Sequence, residues 1–224
     1  NDSKIVAAGG YNMDIALARY NPDGSLDTSF DADGIVVMDI AGAFDEANAI
    51  TLQADGKILV AGEVDHIPTV IRYKSNGSLD ASFGDGGLAT IGVIARAMLV
   101  QLDGKIVVVG DDPILPGDFV TERLNPDGSF DNTFHADGRV STNIGGTDAA
   151  WDVALQADGM IVVVEDPDLA GNPLPAGTIG AVVRSELAGW LFGIGWPAAF
   201  IRRARLPDGS CSSETRQDGE SVRR

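Results

Sequence analysis

Cysteine is nearly absent from the 224 residues: Cys211 stands alone, so no intrachain disulfide and no cysteine-based metal cluster can form. Only two histidines occur, His66 and His135. Basic residues are few, 16 Lys and Arg against 33 Asp and Glu, a formal charge of −17. The imbalance is local. Residues 1–165 hold 26 acids and 9 bases, whereas residues 166–224 hold 7 of each. A field of that sign repels phosphate backbones and gathers cations, which argues against DNA or RNA as partner and makes divalent ions plausible ones. Long apolar runs are missing too. The longest stretch, Leu187 to Ile201, is broken by Gly189, Gly193, Gly195 and Pro197, and does not read as a membrane span. The chain starts at Asn1 without a basic-then-apolar leader, so a signal peptide has been removed or was never included. No GxSxG elbow, HExxH helix, phosphate loop or complete dinucleotide fingerprint is present, so no nucleotide or organic cofactor is indicated.

What the sequence does have is repetition. A turn followed by an apolar strand recurs as DSKIVAAG (2–9), ADGKILVAG (54–62), LDGKIVVVG (102–110) and ADGMIVVVE (157–165), which places Lys4, Lys57, Lys105 and Met160 at intervals of 53, 48 and 55 residues. A second landmark follows each of the first three: NPDGSLDTSF (21–30), SNGSLDASF (75–83) and NPDGSFDNTF (125–134), with a degraded copy, LPDGSCSSE, at 206–214. Within one unit, Ala49–Gln53 and Lys57–Gly62 flank the tight turn Asp55-Gly56. Thr69–Tyr73 supplies a third strand, Asn76-Gly77 a turn, and Gly87–Ile91 a fourth strand. Four antiparallel strands per unit predict an all-β fold, a β-propeller with blades of about fifty residues. The unbroken apolar run in KILVAG suits a strand covered on both faces, which only stacked units provide. Phe30, Phe83 and Phe134 recur at one position and are expected to plug the loop onto the blade.

The stretch ALARYNPDGSLDTSF at 16–30, together with the DGKIVVVG-type turns, resembles the bacterial delta-60 repeat family of β-propellers over about residues 1–165. That resemblance implies a propeller fold and extracellular or cell-surface placement, and no activity. Two departures follow. The chain begins at the second strand of a blade, and roughly four blades are present, giving a small ring, an incomplete one, or one completed by a homodimer joining open ends. Residues 166–201 interrupt the spacing as an atypical insertion carrying Trp190, Phe192 and Trp196, and residues 202–224 form a degraded last repeat or tail. A lid over the channel that contacts an apolar ligand, a packing segment and a shifted reading frame or cloning artefact remain three open accounts of this region.

Two constellations invite metal chemistry. Asn21, Asp23 and Asp27, repeated as Asn76 and Asp80 and as Asn125, Asp127 and Asp131, place oxygens at alternate positions around a glycine, as calcium requires. Arg19, Arg72 or Arg123 occupies the place of the first ligand, however, and the same residues are what a tight turn demands. At the starts of the innermost strands, Asp45, Glu46 and Asn48 in one copy correspond to Asp148, Ala149 and Trp151 in another, with Asp152 adjacent, while the intervening copy offers Val93 to Arg96. Solvated loop acids are one reading. The other is resemblance to gluconolactonase- and paraoxonase-type propellers, which hold a catalytic calcium at the axial mouth through Glu, Asn and Asp. It implies Glu46, Asn48, Asp148 and Asp152 as metal ligands in a hydrolase acting on lactones, such as acyl-homoserine or sugar lactones, or on esters. His66 and His135 are weak candidates for its base and are expected on the surface.

Two functions therefore stand side by side: a secreted or surface binding and scaffold module presenting loops to a glycan or protein, and a calcium-dependent lactone or ester hydrolase.

Overall fold

The computed structural model describes residues 3–40, 44–114, 118–143 and 148–165. The predicted insertion and tail, with Trp190, Phe192 and Trp196, lie outside the described residues. Thirteen strands are described: β1 (Ile5–Tyr11), β2 (Asp14–Tyr20), β3 (Ile35–Met38), β4 (Asp45–Leu52), β5 (Ile58–Val64), β6 (Ile67–Tyr73), β7 (Leu88–Thr90), β8 (Ile94–Val100), β9 (Ile106–Asp111), β10 (Phe119–Leu124), β11 (Arg139–Thr142), β12 (Ala150–Leu155) and β13 (Ile161–Glu165). They form antiparallel sheets in the orders β1-β2-β3, β4-β5-β6-β7, β8-β9-β10-β11 and β12-β13. The predicted blade is thus present complete in the second and third sheets. The first sheet opens with the blade's second strand, as expected from the repeat phase, and the described residues do not close a ring.

The strands that begin successive blades run beside one another: β4 packs against β8 and β8 against β12, while β1 of the first sheet lies against β4. Alternation along the second strands explains their continuous apolar character. In β5, Ile58 and Val60 join Ile15, Leu17, Phe30 and Val36 of the first sheet in one core. Leu59 and Ala61, which point the other way, join Ile106, Val108, Val120 and Leu124 of the third sheet in the next. In turn, β9 gives Val107 and Val109 to a third core with Ala150 and Val153. The Val, Leu, Ile and Phe side chains among these each stabilise by about 1.5–3 kcal/mol when buried, and the cores they fill are shared between neighbouring blades.

Strands β4, β5 and β6 each run longer than the sequence pattern suggests, β4 by the most. The expected strand Ala49–Gln53 begins at Asp45 instead, because a bulge between Ala47 and Ala49 lets pairing continue past the break in alternation. The same irregularity occurs between Ala95 and Ala97 in β8 and between Ala150 and Asp152 in β12. Opposite the first two sit Gly62 and Gly110, where a Cβ would lie 1.8 Å from the Glu46 carbonyl oxygen and 1.9 Å from that of Ile94. Glycine is required because the bulged backbone approaches its partner strand closely.

Candidate ligand-binding surface at the inner-strand bulges

The NPDG-type turns first need placing. Asp23 Oδ1 accepts hydrogen bonds from the Ser25 amide (2.9 Å) and hydroxyl (2.6 Å), and the Asn21 amide donates to Ser25 Oγ (3.1 Å) and the Leu26 carbonyl (3.3 Å). Asn125 and Asp127 repeat this pattern with Ser129 and Phe130. These bonds hold the Asp23 and Asp127 carboxyls below their ordinary value, with the serine hydroxyl as the largest cause. Asp27 is occupied differently: its Oδ2 takes Lys4 Nζ at 2.7 Å and Arg19 Nε at 2.6 Å, and its Oδ1 takes the Ser29 amide and hydroxyl. Asp131 likewise holds Lys105 (2.9 Å), Arg123 (2.7 Å) and Thr133.

The arginine that sits where a first calcium ligand would be expected is thus the partner of the loop's own aspartate. It also reaches across the blade boundary. Arg72 lies over the Phe83 ring at 4.5 Å, and its Nη1 donates to the Pro126 carbonyl of the next blade's turn at 2.6 Å. Arg19 lies over Phe30 at 4.6 Å and donates to the Ser75 carbonyl. Gly84 N donates to the Asp127 carbonyl (2.7 Å) and Asp31 N to that of Asn76 (3.0 Å), so each turn is stitched to the blade before it. Phe30 and Phe83 are fully buried in this joint, as the plug reading anticipates. Gly128 and Gly77 pack directly on them, with no room for a side chain.

At the inner strands stand the four residues considered as axial calcium ligands, Glu46, Asn48, Asp148 and Asp152. Glu46 is exposed on β4, Asp148 is buried, and Asp152 is exposed with its Oδ1 accepting the Val153 amide at 2.8 Å. Asp45, from the same acidic cluster, is buried as a latch: it accepts the Ile40 amide (3.0 Å) and the Asp65 amide (3.1 Å). Among the described residues, no group of three or more His, Cys, Asp or Glu is placed to hold a metal ion. His66 is exposed in the β5–β6 turn at φ 62° and stacks on Phe44, with ring centroids 5.4 Å apart. His135 is exposed at φ 48°, and Asp31 and Gly84, at the same repeat position, share the left-handed conformation, so this place is set by turn geometry.

What the inner strands do bring together is their three bulge residues. Asn48 of β4, Arg96 of β8 and Trp151 of β12, with Ile94 and Ala95, line a shallow depression of about 290 Å³. The Arg96 guanidinium lies over the Trp151 ring at 4.3 Å, and its Nε and Nη2 donate to Asp111 Oδ2 at 2.8 and 2.5 Å. Trp151 is 50% exposed. Of the anticipated ligands only Asn48 lines the depression. Arg96 and Trp151 are legible in the sequence as members of one repeat position, but their departure from the acid pattern hides that this position lines a shared depression. A larger depression, of about 500 Å³, lies at the opposite ends of β4 and β8. There the buried Oε1 atoms of Gln53 and Gln101 have no hydrogen-bond partner.

Stacked four-stranded antiparallel blades, joined through a repeated Arg–Asp–Phe turn, define a β-propeller repeat protein. Residues 1–30, 53–83 and 101–134 match the model of a β-propeller family, DUF5122, described as a domain of unknown function. No curated protein matches the chain. Among 21 matching solved chains is one described as a "putative gluconolactonase", 17% identical with a TM-score of 0.39. That match covers 66% of this chain and 42% of the other.

Proposed function

We propose that this protein is a secreted or cell-surface binding module, whose propeller presents ligand-contacting residues from the bulges of its inner strands. The observation that supports this reading is the meeting of Asn48, Arg96 and Trp151 in one depression. Equivalent backbone positions carry three different side chains, an amide, a cation and an indole. A repeat that keeps its turns alike but varies the residue at a shared surface position has the form expected of a scaffold adapted for recognition. The arrangement offers hydrogen bonding and an aromatic face. Among the described residues no group of three or more acids or histidines is placed for the calcium that the hydrolase reading would need to polarise a carbonyl.

Turnover decides between the two. Purified protein is incubated with acyl-homoserine lactones, sugar lactones and simple esters, in calcium and in excess chelator. No hydrolysis is expected under either condition. Calcium-dependent turnover that disappears on Glu46→Ala, a substitution at an exposed position, would establish the hydrolase and overturn the binding reading.

A further inference from the structure

Resting on the binding reading above, we infer that the depression between β4, β8 and β12 receives one ring of a neutral saccharide, stacked on Trp151 and hydrogen-bonded by Asn48. Three observations on this surface favour that chemistry. The first is rigidity. Arg96 covers one face of Trp151 at 4.3 Å and is itself held by two hydrogen bonds to Asp111, which restrains the indole while half of the side chain stays exposed. A preorganised aromatic face loses little conformational entropy when a ligand stacks on it. The carbon–hydrogen face of a pyranose ring is the partner that uses such a surface while keeping its hydroxyl rim in water.

The second observation is the placing of polar groups. The Asn48 side chain has two donors and an acceptor and stands in the same depression as the indole, where it can pair with adjacent hydroxyls. Ile94 and Ala95 complete the lining and add no further charge. At about 290 Å³ the space suits a single ring with its substituents, and it is open enough for a longer chain to continue into solvent.

The third observation is charge, and it selects the subclass. The Arg96 guanidinium is paired with Asp111, and the protein as a whole carries −17, so an acidic or sulfated sugar gains no free cation here and meets a repulsive field. A cationic ligand stacking on Trp151 would have to approach Arg96. A neutral sugar is subject to neither penalty.

The experiment titrates the whole chain with neutral oligosaccharides of glucose, mannose, galactose and N-acetylglucosamine, and with uronic-acid oligomers as the charged control. Calorimetry and the indole N–H resonance of Trp151 are the readouts. Binding of at least one neutral series is expected, with little dependence on salt, together with a shift of the Trp151 resonance. Trp151→Ala should weaken it about tenfold or more, and Trp151→Phe should keep most of it. Asn48→Ala provides a second variant at an exposed position. Failure of every neutral series, preference for the uronic-acid oligomers, or unchanged affinity in Trp151→Ala would each overturn the saccharide assignment. Those outcomes would leave the binding reading standing, since only calcium-dependent hydrolysis removes it.

Discussion

Asp80 shows how much one side chain of the repeat does. It is buried, and its Oδ2 faces both Arg72 Nε at 2.9 Å and Lys57 Nζ at 3.4 Å while its Oδ1 accepts the Ser82 hydroxyl. Burial opposes the charged form, but Ser82, Arg72 and Lys57 outweigh it and bring the carboxyl down to about 2 from an ordinary 3.8. A carboxyl depressed on folding stabilises fully above its unfolded value, and that contribution is lost as pH falls towards the folded value. Asp27 is lowered further by Lys4 and Ser29, and Asp131 by Thr133 and Lys105, so three joints lose stability in the same acid range. Melting temperature should therefore drop steeply between pH 4 and 2, which circular dichroism melts will show. Asp80→Asn should melt lower at pH 7 and have a shallower acid limb. Arg72→Met removes the ion pair, the ring contact and the bond to Pro126 together, and should cost about 3 kcal/mol in urea unfolding.

At the scale of the element, the second and third blades differ in one informative way. Val64, Ile71 and Leu88 of the second blade correspond by register to Asp112, Glu122 and Arg139 of the third. There Arg139 bonds Glu122 Oε1 and Asp112 Oδ2, both at 2.8 Å, and the Glu122 carboxylate also accepts the Gly92 amide at 2.9 Å. Burial raises the Glu122 carboxyl, so this group favours the folded state more as pH falls through its titration and works against the aspartates of the joints. One blade packs an apolar trio where its neighbour packs an ion network, so the charges are not needed to build a blade. Arg139→Leu alone should cost about 3–5 kcal/mol by removing the cation that faces two buried carboxylates. The triple change Asp112→Val, Glu122→Ile, Arg139→Leu should instead stay within about 1 kcal/mol of the parent in denaturant unfolding, because it restores the packing of the second blade.

The bulges belong to this scale as well. Gly110→Ala would place a Cβ against the Ile94 carbonyl and force β8 away from β9. It should lower stability by about 2 kcal/mol or more and move Arg96 off Trp151.

Over the described residues, β5 and β9 each serve two cores and the turns at Asn76 and Asn125 each bond to the blade before them, so stability passes from unit to unit. The acidity is spread across these same units. At low salt the protein should pass unretained through immobilised heparin, since binding to a polyanion requires basic groups, and in the described blades those other than Lys74 are paired with the protein's own carboxylates.

The blade was legible because period-2 apolar patterns, Asp-Gly and Asn-Gly turns and the fifty-residue repeat are local properties of the chain, and each dictates the same four strands. The plug residues Phe30 and Phe83 were legible for the same reason: they recur. The site was legible only in part. Asn48 stood out among the inner-strand residues, but Arg96 seemed an interruption and Trp151 only a counterpart. Arg19, Arg72 and Arg123 seemed to oppose a cation, when they are the partners of Asp27, Asp80 and Asp131. Sequence by itself determined the strands, their turns and the stacking of like units, since these follow from backbone preference and hydrophobic alternation. Only the tertiary structure decided which charges neutralise one another and which three bulge residues share a surface. The charge pairs depend on side-chain geometry within a blade, between residues 8 to 27 positions apart, and the bulge residues meet only because blades some fifty residues apart stack side by side.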